Sequence, residues 1–188
     1  MAERTLLSAQ DGITVEEEVR PDAVLPILFG TATVSATPIQ VAAWIGAVHT
    51  YPRWQYRCEE ARALEQPDGS FMTYNRVGAP WPVSDRDVLM RSTRTDNADG
   101  SIRIEFRSTD ESGVVNAPTS TGAVRMERLV GSYQLIPSGT GTQVLYTVDS
   151  DPGGSLPAWL VKQASKELPY RTLKALRARA ETGPPPLP

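Results

Sequence analysis

The feature that most constrains this chain is its last long stretch, residues 151–181, DPGGSLPAWLVKQASKELPYRTLKALRARAE. Asp151-Pro152-Gly153-Gly154 is turn chemistry that cannot continue a strand. Ser155 is a good helix N-cap, and Pro157 suits a first turn, where its missing N–H would have no partner anyway. Leu156, Leu160, Ala164, Leu168, Leu173, Leu176 and Ala180 then recur at helical spacing and make one apolar stripe. The other face carries Lys162, Lys166, Arg171, Lys174 and Arg177. Pro169 interrupts the run and predicts a kink near Ser165. About 26 residues at roughly 1.5 Å each would span a whole domain. A helix of that length and one-sidedness needs a large concave partner.

The preceding residues predict that partner to be a sheet. Strands are expected over 13–19 and 27–35, followed by a helix that Thr37 caps and Pro38 opens, with Ile39, Ala42, Ala43 and Ile45 along it. A meander follows. Strands are expected over 59–66 and 71–77, with a turn at Pro67-Asp68-Gly69 between them, and then over 86–95, 102–108, 123–136 and 143–150. Strands in a run beside segregated helices indicate an α+β fold with helices on one face of an antiparallel sheet. Such a sheet twists and curls, and a curved sheet gripping one helix leaves space for a cavity. The chain reads as a single domain over residues 1–182, with the proline-rich residues 183–188 as a disordered tail.

Composition removes several function classes. A net charge of −3 without a block of like charges gives no electrostatic footprint for nucleic acid. A single cysteine, Cys58, excludes an intrachain disulfide framework. The absence of a signal-peptide pattern then favours a cytoplasmic protein. With His49 the only histidine, no ordinary Cys/His zinc site can form, and neither metal nor other cofactor is expected. Proton chemistry would fall to Tyr74, Tyr133 and the pair Asp85/Asp87.

Three stretches carry a resemblance. Pro80-Trp81-Pro82-Val83-Ser84-Asp85-Arg86-Asp87 is an apolar loop entering a strand through Arg-Asp. Val124-Arg125-Met126-Glu127 precedes Gly131-Ser132-Tyr133-Gln134-Leu135-Ile136-Pro137 on a long late strand. Asp151-Pro152-Gly153-Gly154 opens the closing helix. In this order and spacing they resemble the START domain, the steroidogenic-acute-regulatory-related lipid-transfer family of the helix-grip (SRPBCC) superfamily.

The resemblance implies a cavity between sheet and final helix that encloses a lipid or other hydrophobic small molecule. It implies a lid at residues 78–84 with Trp81 at its tip, and an aromatic there suits transient contact with a membrane surface. It also implies a cationic anchor inside the cavity, a position occupied here by Arg91. Thr73 and Asn75 stand where sterol-binding members place an acidic residue, and Tyr133 stands where a late-strand Trp is common. The expected ligand-binding set is therefore Arg91, Thr73, Asn75, Tyr133, Trp81, Leu160 and Ala164. Binding without catalysis is the leading expectation; a polyketide cyclase- or aromatase-like enzyme using the same cavity is the alternative.

Overall fold

The computed structural model describes residues 3–67, 71–110, 114–119 and 122–188. The expected turn at Asp68-Gly69 lies outside the described residues. Ten strands form one sheet among the described residues. They are β1 (Arg4–Gln10), β2 (Ile13–Glu18), β3 (Ile27–Val34), β4 (Cys58–Glu65), β5 (Phe71–Val77), β6 (Asp85–Asp96), β7 (Ile102–Ser108), β8 (Ala123–Arg125), β9 (Arg128–Ser138) and β10 (Gly141–Asp151). Helix α1 (Pro38–Gly46) follows β3, and helix α2 (Ala158–Ala180) closes the chain. The strand order is β1-β2-β3-β10-β9-β7-β6-β5-β4, every neighbouring pair antiparallel, with β8 pairing parallel to the start of β6. This is the helix-grip arrangement, a curved antiparallel sheet around a long C-terminal helix.

β1 has no counterpart among the strands expected from the sequence. Its signal was Asp11-Gly12, both at positive φ (52° and 67°), the dipeptide that tight hairpins favour. α1 begins as expected: Thr37 Oγ1 accepts from the Gln40 amide at 3.3 Å, with Pro38 at the first helical position. Ile39 nevertheless faces solvent, because the buried side of α1 is Val41, Ala42, Trp44 and Ile45. The long strand expected over 123–136 is two strands, broken at Met126-Glu127, where the Met126 amide bonds to Asp87 and the Glu127 amide to Asp151.

α2 starts two residues later than Ser155 as its cap would place it. Pro157, in extended conformation, occupies the cap position without a side-chain hydrogen bond. The cause is local: a residue before proline is pushed out of the helical region, so Leu156 cannot be the first helical residue. From Pro169 onward α2 is seated firmly. A Cβ on Gly30 would lie 2.7 Å from Leu173 Cδ1 and 3.2 Å from Pro169 Cβ, so only glycine lets the helix come this close to β3. Leu173, Leu176 and Ala180 are essentially inaccessible and join a core with Ile13, Val15, Ala32, Val34, Val41 and Leu135.

Part of the basic face is spent on this seating. Lys174 Nζ reaches Asp11 Oδ2 at 2.6 Å, Tyr170 OH donates to the same oxygen at 2.7 Å, and Arg177 Nη1 donates to the Asp11 carbonyl at 2.8 Å. Those contacts hold the Asp11 carboxyl below its ordinary value, first through the Lys174 hydrogen bond. A second, smaller cluster of Leu64, Met72, Tyr74 and Leu89 lies on the opposite face of β5 and β6, with Val114 and Ala117 packed on it.

Candidate ligand cavity

A cavity of about 490 Å³ lies between the sheet and the N-terminal half of α2. Along β6 its wall is Arg86, Val88, Met90, Ser92 and Arg94, one face of the strand extending about 26 Å at roughly 3.3 Å per residue, joined at the exposed end by Thr93. Thr73, Asn75 and Val77 continue the wall on β5; Ile104 and Phe106 on β7, Tyr133 on β9, and Tyr146, Val148 and Ser150 on β10 complete the sheet side. Leu156, Leu160, Gln163, Ala164, Leu168 and Thr172 form the roof, one line of residues along α2 and the segment entering it. Ala42 and Ile45 of α1, Ala79 and Pro80, and Leu25 reach the cavity from the ends of the sheet.

Thr73, Asn75, Tyr133, Leu160 and Ala164 therefore line the cavity where the sequence reading expected ligand contacts. Arg91 does not. It is exposed on the outer face of β6, with Met72 of β5 and Arg107 of β7 as its cross-strand neighbours. Alternation correctly separates Leu89 and Arg91 from Val88 and Met90, but both sides of β6 are apolar there because the smaller cluster covers the outer one. Hydrophobicity alone could not say which side faced inward. The cavity's arginines are instead Arg57, Arg86 and Arg94, which the sequence reading did not select. Fixing the parity of β6 from Asp87, whose buried carboxylate is claimed by Arg125, would have found Arg86 and Arg94.

Trp81 also lies off the cavity wall. It is 92 % exposed on the outer side of the 78–84 loop, while Ala79 and Pro80 present that loop's inner side.

The three guanidiniums differ in surroundings. Arg94 is exposed and ion-paired with Asp96 at 2.6 Å. Arg57, at positive φ, is exposed and lies over the Tyr56 ring. Arg86 is 8 % exposed. Its Nε donates to the Pro152 carbonyl at 3.2 Å, its Nη1 to the Ser84 carbonyl at 2.6 Å and its Nη2 to the Gly153 carbonyl at 2.9 Å. Burial lowers its pKa from the ordinary arginine value. Among the described lining residues there is no Asp, Glu, His, Cys or Lys.

Asp85 and Asp87 project from the other face of β6 and are separately engaged. Asp85 accepts from Arg76 Nε at 2.9 Å and from the Ala79 amide at 3.0 Å, which, led by the amide bond, hold its carboxyl below the ordinary value. Asp87, fully buried, accepts from Arg125 Nε at 2.7 Å and from Tyr74 OH at 3.1 Å. Burial, with Asp87 beside it, pushes the Tyr74 phenol up to about 12. Within the cavity, Tyr133 stacks on Tyr146 at 4.7 Å between ring centroids, and burial raises both phenols far above physiological pH. Asn75 Oδ1 is buried without a hydrogen-bond partner among the described residues. Burial likewise raises the Cys58 thiol, to about 11, which keeps it protonated and unreactive.

A long curved sheet, a roofing helix and an apolar interior with few polar groups define a ligand-enclosing helix-grip protein. The chain belongs to the START domain family, which matches residues 34–182. An uncharacterised protein of Pseudomonas aeruginosa is 38 % identical over 130 residues, covering 69 % of this chain and 62 % of that protein. The rat phosphatidylcholine transfer protein is 30 % identical over 101 residues, 53 % of this chain and 47 % of that protein. The chain thus spans about half to three-fifths of the curated relatives it matches. Among solved structures, a STAR-related lipid transfer protein from Xanthomonas axonopodis superposes with a TM-score of 0.83 at 29 % identity, covering 94 % of this chain and 98 % of that one. An aromatase/cyclase from a Streptomyces species shares the fold more distantly, with a TM-score of 0.52 at 16 % identity over 82 % of this chain and 93 % of that one.

Proposed function

We propose that this protein encloses one lipid or similarly hydrophobic molecule in the cavity and carries it between membrane surfaces. The observation that carries this reading is the cavity itself: about 490 Å³, roofed by Leu156, Leu160, Ala164 and Leu168 and floored by Val88, Met90, Ile104 and Phe106. Burying an apolar tail against such walls is favourable by roughly 25 cal/mol per Å² removed from water. Thr73, Asn75 and Tyr133, which line the cavity, would orient the polar part of that molecule. The rat and Xanthomonas relatives, both lipid-transfer proteins, support the same reading.

Transfer requires a meeting with a bilayer, and the outer surface beside the cavity suits one. Trp81 and Trp159 are 92 % and 56 % exposed, on the 78–84 loop and the first turn of α2. Lys162 and Lys166 are exposed on the same half of the helix. Tryptophan favours the membrane–water interface, and lysines favour anionic headgroups. Asp85 and Asp87 face away from the cavity, each tied to its own arginine, so the carboxylate pair does not favour the cyclase reading.

Native mass spectrometry of the purified protein tests enclosure, with one lipid-sized adduct per chain expected and released on denaturation. Transfer is tested by moving a fluorescent lipid between donor and acceptor vesicles. A protein that neither carries an adduct nor accelerates exchange would contradict the reading.

A further inference from the structure

The size of the cavity limits what it can enclose. A dry apolar cavity of about 150 Å³ takes one benzene, which is about 25 Å³ for each carbon. At that density a cavity of about 490 Å³ holds about 20 carbon-sized atoms. Part of the space is an open end, where Ser92, Thr93 and Arg94 line it and are exposed, so the count is an upper one. Two palmitoyl tails bring about 32 carbons before any backbone or head is added, and would overfill it.

Width sets a second limit. The cavity runs under α2 from Leu160 to Thr172, about 18 Å at roughly 1.5 Å per residue. Spread over that length, its volume gives a mean cross-section of about 27 Å². An extended hydrocarbon chain is one carbon zigzag wide, and carbons touch at about 4 Å, so it fills roughly 15–20 Å². Two chains side by side, or a fused-ring system of similar width, need roughly twice that. The roof agrees with the narrower section. Leu160, Ala164, Leu168 and Thr172 follow one another at four-residue spacing, a single row above the ligand.

We propose that the enclosed molecule is a single-chain lipid, with one hydrocarbon tail of up to about 20 carbons lying under α2, and not a diacyl or fused-ring lipid. This rests on the enclosure reading above and adds the number of chains. The tail would lie between that roof row and the floor of Val88, Met90, Ile104 and Phe106. Ala164, the smallest side chain of the row, sets the height available at its middle.

The test is displacement of cis-parinaric acid, a fluorescent single-chain probe, from the full chain by two phosphatidylcholines kept below their micelle concentrations. Palmitoyl-lysophosphatidylcholine and dioctanoyl-phosphatidylcholine share a head and a count of tail carbons, and differ in whether those carbons form one chain or two. The single-chain lipid is expected to compete at least about tenfold more tightly, and cholesterol is expected not to compete. Ala164→Phe should lower the roof and weaken the palmitoyl lipid by at least about tenfold, with decanoyl-lysophosphatidylcholine less affected. Ala164→Leu should do the same to a smaller degree, and decides the matter if Ala164→Phe does not fold.

Equal competition by the dioctanoyl lipid overturns the single chain but leaves the enclosure reading standing. Cholesterol competing as tightly as the palmitoyl lipid overturns it in favour of a ring system. Palmitoyl binding unchanged in folded Ala164 variants overturns the place assigned to the tail. If neither cis-parinaric acid nor any of these lipids binds, the enclosure reading fails and this inference fails with it.

Discussion

From Pro169 onward α2 lies against β3 and the β1–β2 hairpin, its Leu173 pressed onto Gly30 and its Lys174, Tyr170 and Arg177 all engaging Asp11. Before Pro169 the same helix roofs a cavity, and Leu160, Ala164 and Leu168 look into space that no side chain fills. One helix thus has a half that is packed into the core and a half that roofs a cavity. Interiors normally pack to crystal density, so a hollow of this size costs dispersion contacts that the packed half must outweigh.

The sharpest way to break this comparison is to truncate the same residue type in both halves. Leu176→Ala removes a fully buried side chain from the packed half and should destabilise by about 2–5 kcal/mol in urea unfolding. Leu160→Ala only enlarges an existing hollow and should cost less than about 1.5 kcal/mol, because little new cavity forms. Equal losses would mean that the roof is as structural as the seat.

Gly30→Val probes the seat from the sheet side and should cost about 1–3 kcal/mol by overpacking against Leu173 and Pro169. Loss of lipid binding with unchanged stability would instead put Gly30 in the ligand's service.

A smaller effect is expected at the outer face of β10. Arg128 donates to Asp149 at 2.6 and 2.7 Å, Arg20 also pairs with it, and the Arg128 bond comes first in holding the Asp149 carboxyl below its ordinary value. A depressed folded pKa stabilises above the unfolded value, about 3.9, and that stabilisation is lost as pH falls through the folded value. Asp149→Asn should therefore lose roughly 1–2 kcal/mol at neutral pH, and the gap to wild type should close below about pH 4. A gap independent of pH would assign the loss to packing.

Trp81→Ala should move stability least, within about 0.5 kcal/mol, since the ring is almost wholly exposed. Vesicle-dependent tryptophan emission and the rate of lipid exchange should fall nonetheless. Unchanged exchange would remove Trp81 from the membrane encounter.

The legibility of this fold follows the same division. Leu173, Leu176 and Ala180 were readable as core because a densely packed face leaves a strong period-3.6 signal. Thr37-Pro38 announced α1 through local backbone chemistry alone. The cavity wall was harder. Its side chains need only be apolar or small, so Thr73, Asn75 and Tyr133 were placed by resemblance, not by pattern. Arg91 went wrong because apolar residues cover both faces of β6 at Val88–Met90, erasing the contrast that alternation depends on. Ser155 failed as a cap because a proline two residues on outweighed a favourable side chain.

Pro169 has a mechanical consequence. Its ring denies the helix one backbone hydrogen bond just where the seated half ends, so bending there is cheaper than anywhere else along the rod. Residues 158–168 form an arm of about 16 Å beyond that point. A turn of about 20° at the fulcrum would carry the arm's tip through about 5 Å, by the geometry of a rod of that rise. The aperture of the cavity is in this sense an angle. A bend at Pro169 would widen or narrow it from the unseated end of the helix, away from the contacts that Lys174, Tyr170 and Arg177 make with Asp11.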